Sequence, residues 1–351
     1  MQSAPTQHYR TVKTFAIILI LTAACVGKHQ RPQIVEFSGP TMGTMFSIKV
    51  VIKPSNLEKV SIQALDLEIH AELEKINMLM STWDPNSELS RFNRSTSLEP
   101  FPVSPITFEV FQWAVKLDQE TNGTLDVTSA PLLELWGLGP YEQRNHMPKS
   151  EVITRTLEAT GIENLELDST AITVRKIRPD IQCEFSALAP GYTADRLATL
   201  LESHGFNNFL VDIGGEFRGS GHNASGLPWQ IAIELPDASG ETISRILSVS
   251  NSAIATSGDY RNYYEVNGER ITHILDPRTG WPIKHQLASV TVLDTLAVRA
   301  DGLSTAFMVL GLEKSLEQAE ELGLAALFIM RNDDGGFTEH TTSHFDAMMY
   351  P

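Results

Sequence analysis

Phe209-Leu210-Val211-Asp212-Ile213, followed by Gly214-Gly215, is the stretch that decides the fold class. A short apolar run that ends in two glycines is typical of a buried strand followed by a tight turn. Strand patterns then continue to residue 293 with no helical pattern between them; they lie at 229–235, 243–249, 253–256, 263–266 and 289–293. A doubly wound sheet requires helices between its strands, so this cluster predicts an α+β fold.

Helical patterns surround the strand cluster. Apolar residues three or four apart predict an amphipathic helix over 57–80, and residues 81–93 are expected to form a loop. Further helices are expected at 105–121, 152–160, 192–204, 297–310 and 312–322. Further strands are expected at 47–52, 171–174, 181–185 and 325–330. Without a clear linker, we expect one compact body.

The N-terminus has the pattern of an export signal. Arg10 and Lys13 precede an apolar run at 15–21 that is too short to span a bilayer, and small residues lead to Cys25. A cysteine at this place is similar to a bacterial lipobox, which predicts a lipid anchor on Cys25; the alternative is ordinary cleavage with an incidental cysteine. We therefore expect a signal at 1–24, a tether at 25–35 and a domain at 36–351.

Charge and cysteine content narrow the function. The net charge of −16 argues against nucleic acid and against electrostatic binding to anionic lipids. Beyond Cys25, the domain contains only Cys183, so it has no internal disulfide and must be held by its core. We expect Cys183 to be a buried apolar side chain rather than a nucleophile.

Common catalytic motifs are absent from the sequence. There is no Walker loop and no nucleophile elbow, and Gly219-Ser220-Gly221 lacks the third glycine of a dinucleotide fingerprint. His340 and His344 are four residues apart, but no acid stands between them, so we expect a surface pair rather than a zinc site.

Three loop segments remain as candidates. Thr41-Met42-Gly43-Thr44 is typical of a plain turn. Asn122-Gly123-Thr124-Leu125-Asp126 ends a helix, and Asp126 is either a cap or a ligand-facing acceptor in a pocket. Residues 273–282 contain turn chemistry together with His273, Arg278 and Trp281, a mixture that favours binding of an anionic aromatic ligand over a plain turn.

Two helix starts are the other candidates. Asp301 and Thr305 share a helix face beside Ser304, which is either a helix cap or an oxygen set for a hard cation such as Mg²⁺. With only one carboxylate, such a site would need a phosphate ligand to complete it. Residues 186–192, with Pro190 and Gly191, indicate either a simple helix start or a backbone held open for a ligand.

Taken in order, these segments resemble the ApbE family of FAD:protein FMN transferases. The resemblance covers nearly the whole chain after the signal. It is carried by residues 41–44, 81–83, 87–93, 125–128, 135–140, 184–192, 211–216, 256–264, 273–282 and 300–305.

The resemblance implies a fold and an activity. The fold would be T-fold-like, with mixed, largely antiparallel sheets packed with helices. The enzyme would use Mg²⁺ to split FAD and would move FMN onto a Thr or Ser hydroxyl of a partner protein, releasing AMP. It would be exported and lipid-anchored to the periplasmic face of the bacterial inner membrane. Its partners would be flavin-bearing subunits of membrane electron-transport complexes.

The resemblance also assigns site residues. His273 would act near the reacting phosphate as base or hydrogen-bond donor, and Asp301 would be catalytic through the metal. FAD would contact Met42, Trp83, Thr124, Leu125, Asp126, Glu184, Pro190 and Leu275. The cation would be held by Ala187 through its carbonyl, Asp301, Ser304 and Thr305. Glu184 stands where Asp is usual, Pro190 where Lys is usual, and Ser304 where some members have Asp.

Two other functions stay open. The first is Mg²⁺-dependent FAD hydrolysis, with water in place of the protein hydroxyl, and Pro190 favours such altered chemistry. The second is a non-catalytic, lipid-anchored flavin-binding protein. His273 and the cluster of Asp301, Ser304 and Thr305 favour an enzyme over a carrier.

Overall fold

A computed structural model describes residues 32–52, 61–139, 147–237, 242–260, 263–266 and 269–349. The predicted signal, Cys25 and most of the predicted tether lie outside these residues. Within them, no helix is both long and apolar enough to cross a membrane.

The described strands and helices follow one another along the chain. The strands are β1 (Gln33–Thr41), β2 (Thr44–Ile52), β3 (Phe101–Pro102), β4 (Leu165–Asp168), β5 (Thr173–Lys176), β6 (Phe209–Ile213), β7 (Glu216–Ser220), β8 (Trp229–Glu234), β9 (Ile243–Val249), β10 (Ser252–Gly258), β11 (Tyr263–Val266), β12 (Glu269–Thr272), β13 (Leu275–Asp276), β14 (Trp281–Pro282), β15 (Leu287–Asp294), β16 (Ala325–Arg331) and β17 (Phe337–Thr341). The helices are α1 (Ile62–Met80), α2 (Glu88–Arg94), α3 (Pro105–Glu120), α4 (Ala130–Leu135), α5 (Ser150–Leu157), α6 (Ala189–Ser203), α7 (Ala297–Leu310), α8 (Leu312–Glu321) and α9 (Ser343–Met349).

An antiparallel sheet forms the centre of the fold. Its strand order within the described residues is β1-β2-β6-β7-β10-β15-β16-β17, and each neighbouring pair is antiparallel. The stretch at 209–213 is β6, which turns at Gly214 and Gly215, both with positive φ, into its neighbour β7. The α+β prediction is therefore confirmed.

The two faces of the sheet are covered differently. On one face, α6 and its neighbour α1 pack through apolar residues such as Leu197 and Leu65 onto β2 and β6. On the other face, the β8–β9 hairpin and α9 pack through Trp229 and Phe345 onto β6, β10 and β16. Helix α7 is apolar nearly all round and lies buried against β10 and β15, which places its polar residues inside the protein.

Strand β1 was not predicted. It begins at Gln33, so the last three residues of the predicted tether belong to the sheet. It contains Gly39 and Pro40, two residue types that are depleted in strands and therefore weaken the sequence pattern. Pairing along the whole of β2 supplies the hydrogen bonds, and an edge strand tolerates proline.

Two other local predictions are wrong. The expected loop at 81–93 contains α2, which begins where the Ser87 hydroxyl accepts from the Ser90 N–H. The expected strand at 181–185 is not a strand, because the Asn93 side chain takes its hydrogen bonds: Asn93 Nδ2 donates to the Cys183 carbonyl at 2.7 Å, and the Cys183 N–H donates to Asn93 Oδ1 at 2.8 Å. Cys183 itself is buried, as predicted.

Candidate functional site

The start of helix α6 is capped by a side chain of α7. Gly191 is the third residue of α6, so its N–H is among the first N–H groups of the helix, which have no partner within it. This N–H donates instead to Asp301 Oδ2 at 3.0 Å. Asp301, which is only 4% exposed, therefore caps a helix that begins two residues after Ala187.

Glycine is required at position 191. A Cβ there would lie 2.4 Å from the Ala297 carbonyl oxygen and 2.8 Å from Asp301 Cβ, both on α7. Only a residue without a side chain lets the two helices approach closely enough for the bond between Gly191 and Asp301.

Three hydroxyl groups lie next to Asp301. Ser304, which is fully buried, donates to the Asp301 carbonyl at 2.9 Å. Ser257, near the end of β10, lies 2.8 Å from the Ser304 hydroxyl and 2.9 Å from that of Thr305. The structure thus links the predicted residues Asp301, Ser304 and Thr305 and places Ala187 just before the helix start that Asp301 caps. It adds Ser257, which directly follows the predicted strand at 253–256 and was not singled out by sequence analysis.

Burial shapes the electrostatics of this cluster. Burial, together with smaller contributions from the nearby Glu184 and Asp195 carboxylates, raises the pKa of Asp301 to about 7, although the hydrogen bond from Gly191 opposes the rise. Burial also raises the pKa of Glu184, opposed by hydrogen bonds from Ser186. Carboxylates whose charged form is disfavoured in this way gain strongly from a cation.

The donor types decide which cation fits. Among the described residues, no three His, Cys, Asp or Glu side chains come together as a metal-binding group. One carboxylate, hydroxyls and a carbonyl are instead the oxygen donors that Mg²⁺ prefers, with further ligands supplied by phosphate or water. The cluster therefore fits a hard cation and not zinc.

Asp126 lies close to Glu184 but is engaged by the protein. Its oxygens accept from the Thr128 N–H at 2.8 Å, the Thr128 hydroxyl at 2.7 Å and the Gly161 N–H at 3.0 Å. The Glu184 N–H donates to the Val127 carbonyl at 2.8 Å, which joins the two segments. Burial raises the pKa of Asp126, and these hydrogen bonds oppose the rise.

Thr124 and Leu125 are buried beside α7. The Thr124 hydroxyl donates to the Thr121 carbonyl at 2.8 Å. Leu125 packs onto Gly302, where a Cβ would lie 3.0 Å from the leucine and 2.7 Å from Leu117. The segment at 124–126 therefore lies against the helix turn that carries Asp301.

Met42 lies in the turn between β1 and β2, and Trp83 lies just beyond the end of α1, which a hydrogen bond connects to that turn. Met42 occupies the β1–β2 turn with φ of 47°, and Thr193 on α6 donates to its sulfur at 3.7 Å. Trp83 follows α1, whose Asn77 donates to Thr41 in the same turn at 3.2 Å. The Trp83 side chain is 72% exposed, so its indole face is open to a flat ring.

The segment at 273–282 differs from the expected anion-binding loop. Arg278 donates two hydrogen bonds of 2.8 Å to the carboxylate of Asp276. Trp281 packs on the buried Trp136, with 5.4 Å between the ring centroids. The Arg278 guanidinium and the Trp281 indole thus stabilise the β13–β14 hairpin. His273 is half-buried before this hairpin, Leu275 is buried within it, and Pro190 is half-buried in the first turn of α6.

Comparisons with known proteins identify the family of this chain. The model of the ApbE family matches residues 42–328. The chain is 43% identical over 331 residues to an FAD:protein FMN transferase of Vibrio cholerae, covering 94% of this chain and 96% of that protein. It is 39% identical over 336 residues to the FAD:protein FMN transferase of Haemophilus influenzae, covering 93% and 95%.

Solved structures show the same fold. The flavin transferase ApbE from Vibrio cholerae superposes with a TM-score of 0.82 at 41% identity, covering 90% of this chain and 99% of that one. The apo flavinyl transferase ApbE from Pseudomonas stutzeri gives a TM-score of 0.84 at 36% identity, covering 92% and 98%. The chain belongs to the ApbE family.

Proposed function

We propose that this chain is an enzyme that transfers FMN from FAD to a Ser or Thr hydroxyl of a partner protein and releases AMP, with Mg²⁺ as cofactor. The observation that carries the proposal is the buried cluster in which Asp301 caps the helix that begins after Ala187, while Ser257 joins the Ser304 and Thr305 hydroxyls on the same helix as Asp301. The names of the similar proteins support the same activity.

The cation would be held by the Asp301 carboxylate, the Ala187 carbonyl, Thr305 and Ser304. Ser257 bonds to both hydroxyls and so orients them. When bound, a divalent cation offsets the negative charge that develops on the pyrophosphate during the displacement. Since the protein offers only one carboxylate, the phosphates of FAD would complete its coordination.

FAD would contact Met42, Trp83, Thr124, Leu125, Asp126, Glu184, Pro190 and Leu275. The exposed Trp83 indole is suited to stack on the flavin or adenine ring. Thr124 and Leu125 are buried, so they would shape the wall rather than reach far into the ligand. Pro190 has no donor and would contribute packing alone.

The transfer step needs a group near the reacting phosphate. The acceptor hydroxyl oxygen would form a bond to the FMN phosphorus, the pyrophosphate P–O bond would break, and AMP would leave with the bonding electron pair. His273 would accept the hydroxyl proton or donate a hydrogen bond to the phosphate. Because the hydroxyl belongs to another protein, this centre must lie near an open surface.

The setting follows from the resemblance and the N-terminal pattern. The enzyme would be exported and anchored through Cys25 to the inner membrane, facing the periplasm. Its acceptors would be flavin-bearing subunits of membrane electron-transport complexes. Exchange of Cys25 for Ser should release the protein from membranes if the anchor exists, and unchanged membrane association would argue for another attachment.

One experiment tests the activity. The protein is mixed with FAD, Mg²⁺ and a flavin-acceptor domain, and each component is followed by mass spectrometry. A gain of FMN on the acceptor supports transfer, AMP and FMN release without acceptor modification indicates hydrolysis, and intact FAD indicates a carrier. Asp301→Asn should abolish the reaction, whereas Asp180→Asn, at an exposed ion pair, should not; activity in Asp301→Asn would refute the cation assignment.

A further inference from the structure

Helices α6 and α7 are joined by hydrogen bonds that run in both directions. Gly191 on α6 donates to the carboxylate of Asp301 on α7 at 3.0 Å. In return, Ala297 and Val298 on α7 donate their N–H groups to Oδ1 and Oδ2 of Asp195 on α6, both at 3.0 Å. Positions 191 and 195, like 297 and 301, are four residues apart and so share a helix face. We call these residues the helix clasp.

Asp195 accepts the two hydrogen bonds of the helix clasp that cap the start of α7. The first N–H groups of a helix have no partner within the helix, and a carboxylate both satisfies them and interacts favourably with the helix dipole. Arg218 on β7 lies with Nε 3.4 Å from Asp195 Oδ1, so the same carboxylate also connects the helices to the sheet. A shift of Asp195 would therefore move the start of α7 relative to both neighbours.

The helix clasp connects the two helices beside which the proposed cation ligands lie. Ala187 precedes α6, while Asp301, Ser304 and Thr305 lie on α7, so their spacing depends on how far α7 slides along α6. A Cβ at position 191 would lie 2.4 Å from the Ala297 carbonyl oxygen, so the backbones of the two helices are already in close approach there. The two hydrogen bonds to Asp195 oppose separation of the helices at the same crossing.

We propose that Asp195 is a positioning residue for the cation site: it sets the position of α7 along α6 and thereby the spacing between the Ala187 carbonyl and the Asp301 carboxylate. The inference rests on the proposed function, since it assumes that these oxygens bind Mg²⁺. Mg²⁺ demands nearly ideal octahedral geometry at short distances, so a small displacement of one helix weakens binding. Changes in the partners that orient metal ligands typically cost 10–100-fold in affinity.

The test compares Asp195→Asn with Ser61→Ala, which removes the helix cap of α1 away from the clasp. Mn²⁺, read by electron paramagnetic resonance, serves as the probe for the cation in the presence of FAD. FAD binding without metal is measured by flavin fluorescence in EDTA, and melting temperatures are recorded for each protein. Asp195→Ser, which retains a hydroxyl acceptor, is the second variant should Asp195→Asn fold poorly.

We expect Mn²⁺ to bind Asp195→Asn at least about 10-fold more weakly than the wild type, with metal-free FAD affinity within about 2-fold. The Mg²⁺ concentration for half-maximal turnover should rise in parallel, and excess Mg²⁺ should restore most of the rate. Ser61→Ala should melt earlier yet bind Mn²⁺ normally. Equal Mn²⁺ affinity in the wild type and both Asp195 variants would overturn the inference alone; absence of Mn²⁺ binding in the wild type would overturn the proposed function with it.

Discussion

The hydroxyl oxygen of Ser257 lies 2.8 Å from that of Ser304. Ser257 is the penultimate residue of β10, whereas Ser304 lies on α7, so this contact connects the central sheet to the helix that carries Asp301. The same Ser257 oxygen lies 2.9 Å from Thr305. One strand residue therefore fixes the orientation of two hydroxyls in the proposed cation site.

Exchange of Ser257 for Ala should weaken cation binding. Without the Ser257 hydroxyl, the Ser304 and Thr305 hydroxyls lose the partner that orients them, and the half-saturating Mg²⁺ concentration should rise by about 10-fold. FAD binding in EDTA should stay unchanged. Ser250→Ala is the matched control, because Ser250 lies before the opposite end of β10 and bonds to the Gly221 carbonyl. Equal Mg²⁺ dependence in both variants would refute the role of Ser257.

Exchange of Asn93 for Ala should destabilise the whole domain. It removes two hydrogen bonds to the backbone of Cys183 and leaves that buried N–H and carbonyl without partners. Each unpaired buried group costs about 1–3 kcal/mol, so we expect a loss of about 2–4 kcal/mol in the free energy of unfolding, measured in urea. Asn332→Ala, in an exposed turn, should lose far less. A loss below about 1 kcal/mol for Asn93→Ala would contradict this account.

Asp118 should make stability depend on pH. Burial and the carboxylates of Asp126 and Glu163 raise its pKa to about 6 in the folded protein, against 3.8 for the ordinary carboxyl. A raised folded pKa means that the native state holds the proton more tightly, so its contribution to stability falls as the pH rises from about 4 to 6.

Asp118→Asn removes this titration. We expect the variant to be more stable than the wild type at pH 8, by less than about 1 kcal/mol because the side chain is partly solvated, and to lose that advantage near pH 4. Urea unfolding at the two pH values measures the difference. Glu99→Gln, in an exposed segment, should show no such change; a stability difference for Asp118→Asn that grows toward acid would have the wrong sign.

Exchange of Arg278 for Met should leave FAD binding nearly unchanged. The guanidinium is already paired with Asp276 inside its own hairpin and is exposed, so its loss should cost about 1 kcal/mol of stability or less. FAD affinity, measured by flavin fluorescence, should stay within about 2-fold. A large loss of affinity with normal stability would instead support the sequence-based hypothesis that this residue binds an anionic ligand.

The sequence predicted elements well where a stretch is rich in apolar residues and bounded by clear start and stop signals. The stretch at 209–213 and the helix at 297–310 have patterns that local physics alone interprets, and both occur as expected. Prediction failed where hydrogen bonds come from distant residues. β1 depends on pairing with β2. In the segment at 181–185, the backbone of Cys183 bonds to the side chain of Asn93. No local sequence pattern reveals either partner.

The candidate site shows the same division. Asp301, Ser304 and Thr305 could be grouped from their helical spacing, and Ala187 came from the family resemblance. The role of Gly191 could not be predicted, because glycine is required there only by a neighbour on another helix. A Cβ at position 191 would lie 2.4 Å from the Ala297 carbonyl oxygen. Ser257 was missed because the local sequence around a strand residue does not indicate that α7 packs against it.

By itself, the sequence determined that this chain is an α+β domain, that it resembles one family, and which oxygen-bearing residues are available. The tertiary structure decided which of them meet. Spacing along one helix is set by backbone geometry and can be derived from sequence, whereas the crossing of α6 and α7 depends on Asp195, Gly191 and a carbonyl oxygen, whose contacts exist only after the chain has folded.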